Sequence, residues 1–183
     1  MTARRLTGWI VALGLLAAGL WPLHVLQVLE PRTGRWLIAQ VVAPGDGFAL
    51  SYTHSVVHKP VRDYYTVDPQ FRIIQTQTVY PGTGFGLPSE AGPGEVHRLL
   101  PDGSECIAGM RRLIPQLVLR VERAYHNTFT FNDAPPVELA DLCGDAPLEL
   151  RVHATNPIRL CIHILGTYGD PSWPSRTCSK SNS

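Results

Sequence analysis

At 183 residues the chain has room for one domain and an appendage, but not for two full domains. A hydrophobic share of 44% suits a packed core and excludes wholesale disorder. The net charge is +1, with mixed signs and no basic stripe interleaved with aromatics, which excludes a nucleic-acid partner.

The first element is apolar. Arg4 and Arg5 precede a run from Leu6 to Leu29 that carries no charged side chain. A helix over this run is long enough to cross the ~30 Å hydrocarbon core, although Pro22, His24 and Gln27 weaken its second half. A cleavable signal peptide competes, because Trp9–Leu20 has the length of its apolar region. The candidate small-x-small cleavage pair, Ala17 and Gly19, lies inside the run, and Trp21 and Pro22 follow it. The expected reading is therefore an uncleaved anchor over residues 1–30. It contacts lipid through 6–29, with Trp9 and Trp21 at the interfaces and the body outside the cytoplasmic membrane. Export places Cys106, Cys143, Cys161 and Cys178 in an oxidising compartment, where their pairing stays open.

Residues 31–35 read as a polar linker. Trp36–Val42 is a first strand, closed by the turn Pro44-Gly45-Asp46-Gly47. From Phe48 to Ser55, aromatic and small hydroxyl side chains alternate as on a strand. Pro60 places a bend or edge before the strands Val61–Val67 and Phe71–Tyr80. Gly82–Gly94 is a Gly- and Pro-rich loop. Glu95–Ile107 reads as two strands around an Asp102-Gly103 turn. Further strands are expected at 117–121 and 124–131, while 137–142 is ambiguous between strand and one helical turn. Alternation predicts two closing strands, around Leu148-Leu150-Val152 and around Ile158-Leu160-Ile162-Ile164. The fold class is all-β, a single sandwich or partly closed barrel of short antiparallel strands over 36–166. An N-terminal transmembrane helix precedes it, and a polar tail over 167–183 follows.

The densest group of reactive side chains lies between Tyr52 and Tyr65. A metal site built on His54, His58 and Asp63 is geometrically poor, because four strand residues separate the two histidines by about 13 Å. Ser55 lacks the Gly-x-Ser-x-Gly elbow and points away from His54 on a strand. The loop at Gly84–Pro88 lacks the lysine and the following helix that a phosphate cradle needs. No catalytic residue, metal or cofactor is expected. Tyr52, His54, Ser55, Asp63, Tyr64, Gly84, Gly86 and Pro88 are the candidate ligand- or partner-binding residues.

Ser51-Tyr52-Thr53-His54-Ser55-Val56, then Pro60-Val61 with the carboxylate of Asp63 two residues on, form one block; Gly84-Phe85-Gly86-Leu87-Pro88 forms a second. Together they resemble the domain-of-unknown-function family 1850 over roughly Phe48–His153. The family pattern has Glu where Asp63 stands and Ala where Phe85 stands. The resemblance implies a small exported, membrane-anchored protein associated with TAXI-class TRAP-type secondary transporters. Its partner would be the transporter's membrane subunit or its solute-binding protein, and the family implies no catalytic role for any residue. A module binding a small ligand, such as an organic anion, and an exported hydrolase or metal-dependent enzyme are the alternatives.

Overall fold

A computed structural model describes residues 19–82 and 90–168. The strands are β1 (Leu23–Leu29), β2 (Trp36–Val42), β3 (Gly47–Thr53), β4 (Pro60–Val67), β5 (Ile73–Tyr80) and β6 (Val96–Leu99). They continue with β7 (Glu105–Leu113), β8 (Leu117–Val121), β9 (Thr128–Phe131), β10 (Val137–Glu138) and β11 (Ala146–Thr155). A 3₁₀ turn covers Arg123–Tyr125, and two helices, α1 (Leu139–Cys143) and α2 (Pro157–Tyr168), complete the order. The ambiguous stretch 137–142 thus resolves into both of its readings, β10 followed by α1.

Two open sheets form, one ordered β2-β1-β11-β8 and the other β10-β9-β3-β4-β5-β7-β6. The barrel closure allowed by the sequence is not made. A shared hydrophobic core takes Leu26, Val28, Leu148 and Leu150 from the first sheet and Phe48, Leu50, Val67 and Phe129 from the second. Phe48 stacks on Tyr65 at 5.0 Å between ring centroids, as their opposed positions on β3 and β4 allow. A smaller cluster of Val61, Tyr80, Ile107 and Met110 extends the same sheet's buried surface, with Tyr52 and Ala91 against it. Gly109 bends β7 with a φ of +75°; a Cβ there would stand 3.3 Å from the Gly94 carbonyl, so only glycine suits the position.

Two expectations are corrected. The apolar run from Leu6 does not continue as helix to Leu29. Leu23–Leu29 is β1, whose Val25, Leu26, Gln27 and Val28 are fully buried. Pro22 lacks the amide that would continue a helix, and Val25 and Val28 favour the extended backbone. Gln27, a polar intrusion in the expected membrane helix, sits instead in the sheet and accepts a hydrogen bond from Arg151 Nε on β11 at 3.2 Å. Residues 1–18 of the expected anchor lie outside the described residues. Among the described residues no helix is long and apolar enough to cross a membrane.

The second correction concerns Ile158–Ile164, expected as a strand and found within α2. Asn156 caps this helix, its Oδ1 accepting the Arg159 amide at 2.9 Å, and Pro157 occupies the first helical position. The β-domain therefore ends with β11 at Thr155 rather than at 166. The last two described residues of the expected tail, Thr167 and Tyr168, belong to α2. Residues 169–183 lie outside the described residues. Cys106, Cys143 and Cys161 carry free thiols, and Cys178 is also outside.

The chain divides into two compact units, Leu26–Val152 and a unit made of the two terminal stretches. The described parts of the second unit are Gly19–Val25 and His153–Tyr168.

Candidate functional site

Strands β3 and β4 pair antiparallel, with Leu50 opposite Asp63 and Tyr52 opposite Val61. Because side chains alternate across a sheet, Phe48, Leu50, Tyr52, Val61, Asp63 and Tyr65 share one face, the one that faces the cores. The next strand, β5, would by strict alternation place Gln75 and Thr78 on opposite faces. A bulge prevents this. The β4–β5 register shifts between Gln75 and Gln77, so Gln75 faces Tyr65 while Thr78 faces Asp63. The extra residue, Thr76, hydrogen-bonds the Tyr64 carbonyl through its hydroxyl at 3.3 Å.

The result is a half-buried carboxylate set among apolar and aromatic side chains. Gln75 Nε2 donates to Asp63 Oδ1 at 3.2 Å, and the buried Thr78 hydroxyl also donates to the carboxylate. Desolvation outweighs these two bonds and holds the Asp63 carboxyl above the usual carboxylate range. Tyr52 and Tyr65 are pushed above the usual phenol range, by burial first and by the neighbouring Asp63 charge second. One acid and two phenols thus share a sparsely solvated patch, held by neutral donors and without a cation among the groups that set their charge. Such a patch can hold a proton or hydrogen-bond a polar ligand. It holds no activated nucleophile of the serine or cysteine type.

The other candidates lie elsewhere. His54 and Ser55 sit in the β3–β4 turn, where His54 Nδ1 accepts the Val56 and Val57 amides at 3.2 and 3.5 Å. The His54 amide bonds the Lys59 carbonyl, and the His58 amide bonds the His54 carbonyl. The histidine closes the hairpin with one ring nitrogen committed, while Ser55 and His58 are exposed. Tyr64 points to the opposite face, where Arg62 lies over its ring at 5.2 Å from the centroid. A cleft of 390 Å³ on that side is lined by Ser51, Arg62, Thr128, Thr130 and Asn132 among others. Gly84, Gly86 and Pro88 lie outside the described residues. No group of three or more His, Cys, Asp or Glu among the described residues is placed to hold a metal ion.

The structure therefore joins Tyr52 with Asp63 and separates both from His54, Ser55 and Tyr64. It adds Tyr65, Gln75 and Thr78, which the pattern of reactive residue types did not select. Alternation alone carries a signal for Tyr65, two residues from Asp63. It carries none for the pair Gln75 and Thr78, whose spacing of three makes sense only with the bulge.

Searches among curated proteins and among solved structures gave no match. A family model did match. Residues 48–135, from the start of β3 past β9, fit the family described as Domain of unknown function (DUF1850). Over these residues the chain is similar to that family.

Proposed function

We propose that this chain is an exported, membrane-tethered accessory protein of a TAXI-class TRAP-type secondary transporter, acting by protein contact. The observation that carries the contact reading is the edge of the larger sheet. There β6 presents all four residues, Val96–Leu99, to solvent, with Val96 46% and Leu99 75% exposed. An open strand edge offers unpaired amides and carbonyls to an extended segment of a partner, and exposed apolar side chains on it favour such pairing. The charge-free residues 6–21 ahead of β1 would supply the tether, and the transporter context is what the resemblance of the Ser51–Val56 and Gly84–Pro88 blocks implies. Affinity purification of the full chain from detergent-solubilised membranes tests this. A transporter membrane subunit or solute-binding protein is expected to co-purify, and a Leu99→Lys variant to lose it. A chain that never retains any transporter subunit refutes the proposal.

A second reading rests on Asp63. A half-buried carboxylate flanked by two phenols and an amide suits a neutral hydrogen-bonding or cationic small molecule better than an organic anion, which its charge would repel. Thermal-shift screening of polyols, amines and organic acids separates the readings. A ligand-dependent rise that vanishes in Asp63→Asn favours the binding module, and no rise with any class leaves contact as the function.

A further inference from the structure

Helix α2 is amphipathic in the wrong direction for a soluble domain. Its half-buried residues include Leu160 and His163, whereas Ile158, Ile162 and Leu165 are 40%, 65% and 70% exposed. Those three positions, at intervals of four and three, lie along one stripe of the helix. A water-facing stripe of this kind forgoes on each side chain the burial that elsewhere drives folding. Cys161 is exposed on its flank.

The stripe continues into a second stretch of the same unit. Gly19 lies so close to α2 that a Cβ on it would meet Ile158 Cδ1 at 2.9 Å. The next two residues, Leu20 and Trp21, are 56% and 71% exposed. Both lie within the charge-free run Leu6–Leu29, just before Pro22 and β1. With β1 taking the residues from Leu23 onward, the stretch left for a tether, 6–21, would measure about 24 Å as a helix, short of the ~30 Å hydrocarbon core. The end of the short tether thus meets the bare stripe of α2 at Ile158, with further exposed apolar side chains on both. Its edge chemistry is that of a bilayer interface: Trp21 is amphipathic, α2 contains no carboxylate, and Arg159 is its one fixed charge.

We propose that α2 is a lipid-contacting helix, lying in the bilayer interface with Ile158, Ile162 and Leu165 toward the acyl chains, Arg159 at the headgroups and Trp21 beside it. The proposal rests on the tethered reading above and adds a second, non-spanning membrane element to it. The bilayer, rather than a second copy of the chain, is the occupant because Leu20 and Trp21 follow directly in sequence on the apolar residues of the proposed tether.

The test uses the full chain with Cys143→Ser and Cys178→Ser, labelled at Cys161 with an environment-sensitive fluorophore. It is reconstituted in vesicles of phosphatidylcholine and phosphatidylglycerol. The expected result is flotation with the vesicles, quenching of the probe by nitroxide-bearing lipids, and several-fold protection from aqueous iodide. An Ile162→Glu, Leu165→Glu variant is expected to float still but to lose lipid quenching. Flotation with an iodide-accessible, lipid-unquenched probe overturns this inference and leaves the tether standing. Failure to float overturns both. A probe shielded from iodide and lipid alike, with Cys161–Cys161 disulfides formed between unlabelled chains on addition of a mild oxidant, assigns the stripe to a second copy and also overturns it.

Discussion

Helix α2 turns Ile162 and Leu165 outward, while strand β4 turns Asp63 inward among Leu50, Tyr65 and Thr78. Both depart from the usual partition of apolar and polar side chains, and they are resolved differently. The carboxylate is answered within its own domain by the Gln75 amide and the Thr78 hydroxyl, which lower the cost of desolvation. Among the described residues, nothing so local answers the outward isoleucine and leucine. A departure satisfied inside the fold describes a pocket or a strained core; one left open at the surface describes a partner. The contrast is less complete for Gln27, whose Oε1 is bonded to Arg151 while its buried Nε2 has no protein partner among the described residues, and Leu99, bare on the edge of β6.

The sharpest way to test the contrast is to truncate the side chain that obeys the rule. Leu150 is fully buried on β11, in the core shared by both sheets. Leu150→Ala should cost about 2–5 kcal/mol, combining lost apolar burial with the cavity left behind. Chemical denaturation of the purified chain measures it. A cost near zero would mean that the two sheets do not share a tight core, and the comparison with α2 would lose its reference.

Next in size is the inward carboxylate. A pKa raised by burial means that the folded chain binds the Asp63 proton more tightly than the unfolded chain does. The stabilisation from this group is thus fully present below the ordinary carboxylate range and is lost as pH rises through the folded value. Asp63→Asn keeps an acceptor for Gln75 and Thr78 and removes the charge, so it should stabilise the chain by on the order of 1 kcal/mol at neutral pH. The gain should shrink on acidification. Asp68, Glu95 and Asp102, whose carboxyls are held low by Arg72, Arg112 and Ser104, act in the opposite sense. The informative quantity is therefore the difference between variant and parent across pH. A difference that stays flat, or that favours the parent at neutral pH, refutes the assignment.

How much of this could be read from the residues depends on which interaction sets each feature. Strand positions from Trp36 to Val121 follow local alternation and turn residues, and the structure places β2 to β8 close to where those patterns lie. The shared face of Tyr52 and Asp63 is also legible, because alternation along two antiparallel strands in register fixes it. The Gln75–Thr78 grip is not, since a bulge reverses alternation without a local signature. Two further features turn on single residues at the ends of apolar runs. Leu148-Leu150-Val152 and Ile158-Leu160-Ile162 carry the same period of two, yet one is strand and the other helix. The Asn156-Pro157 pair decides it by capping the helix and fixing its first φ. Pro22 acts likewise on the N-terminal run, handing Leu23–Leu29 to the sheet. Asn156→Ala should accordingly cost α2 about 1 kcal/mol, seen as faster amide exchange confined to residues 157–168. Global loss of protection would instead make the cap part of the main core.

The smallest expected effect is the most discriminating. Ile162→Ala removes the same kind of apolar mass as Leu150→Ala, but from a side chain that is 65% exposed. If nothing of this chain covers it, the folded state loses almost no burial, and the change in unfolding free energy should stay within about 0.5 kcal/mol. Measured beside Leu150→Ala in detergent, the pair compares one chemical change at two degrees of burial. A loss comparable to that of Leu150→Ala would show that part of the chain packs over α2, making the stripe a core face and removing its need for lipid. A null effect on stability, joined to weaker lipid quenching of the Cys161 probe in vesicles, is the combination that only an outward, membrane-facing helix produces.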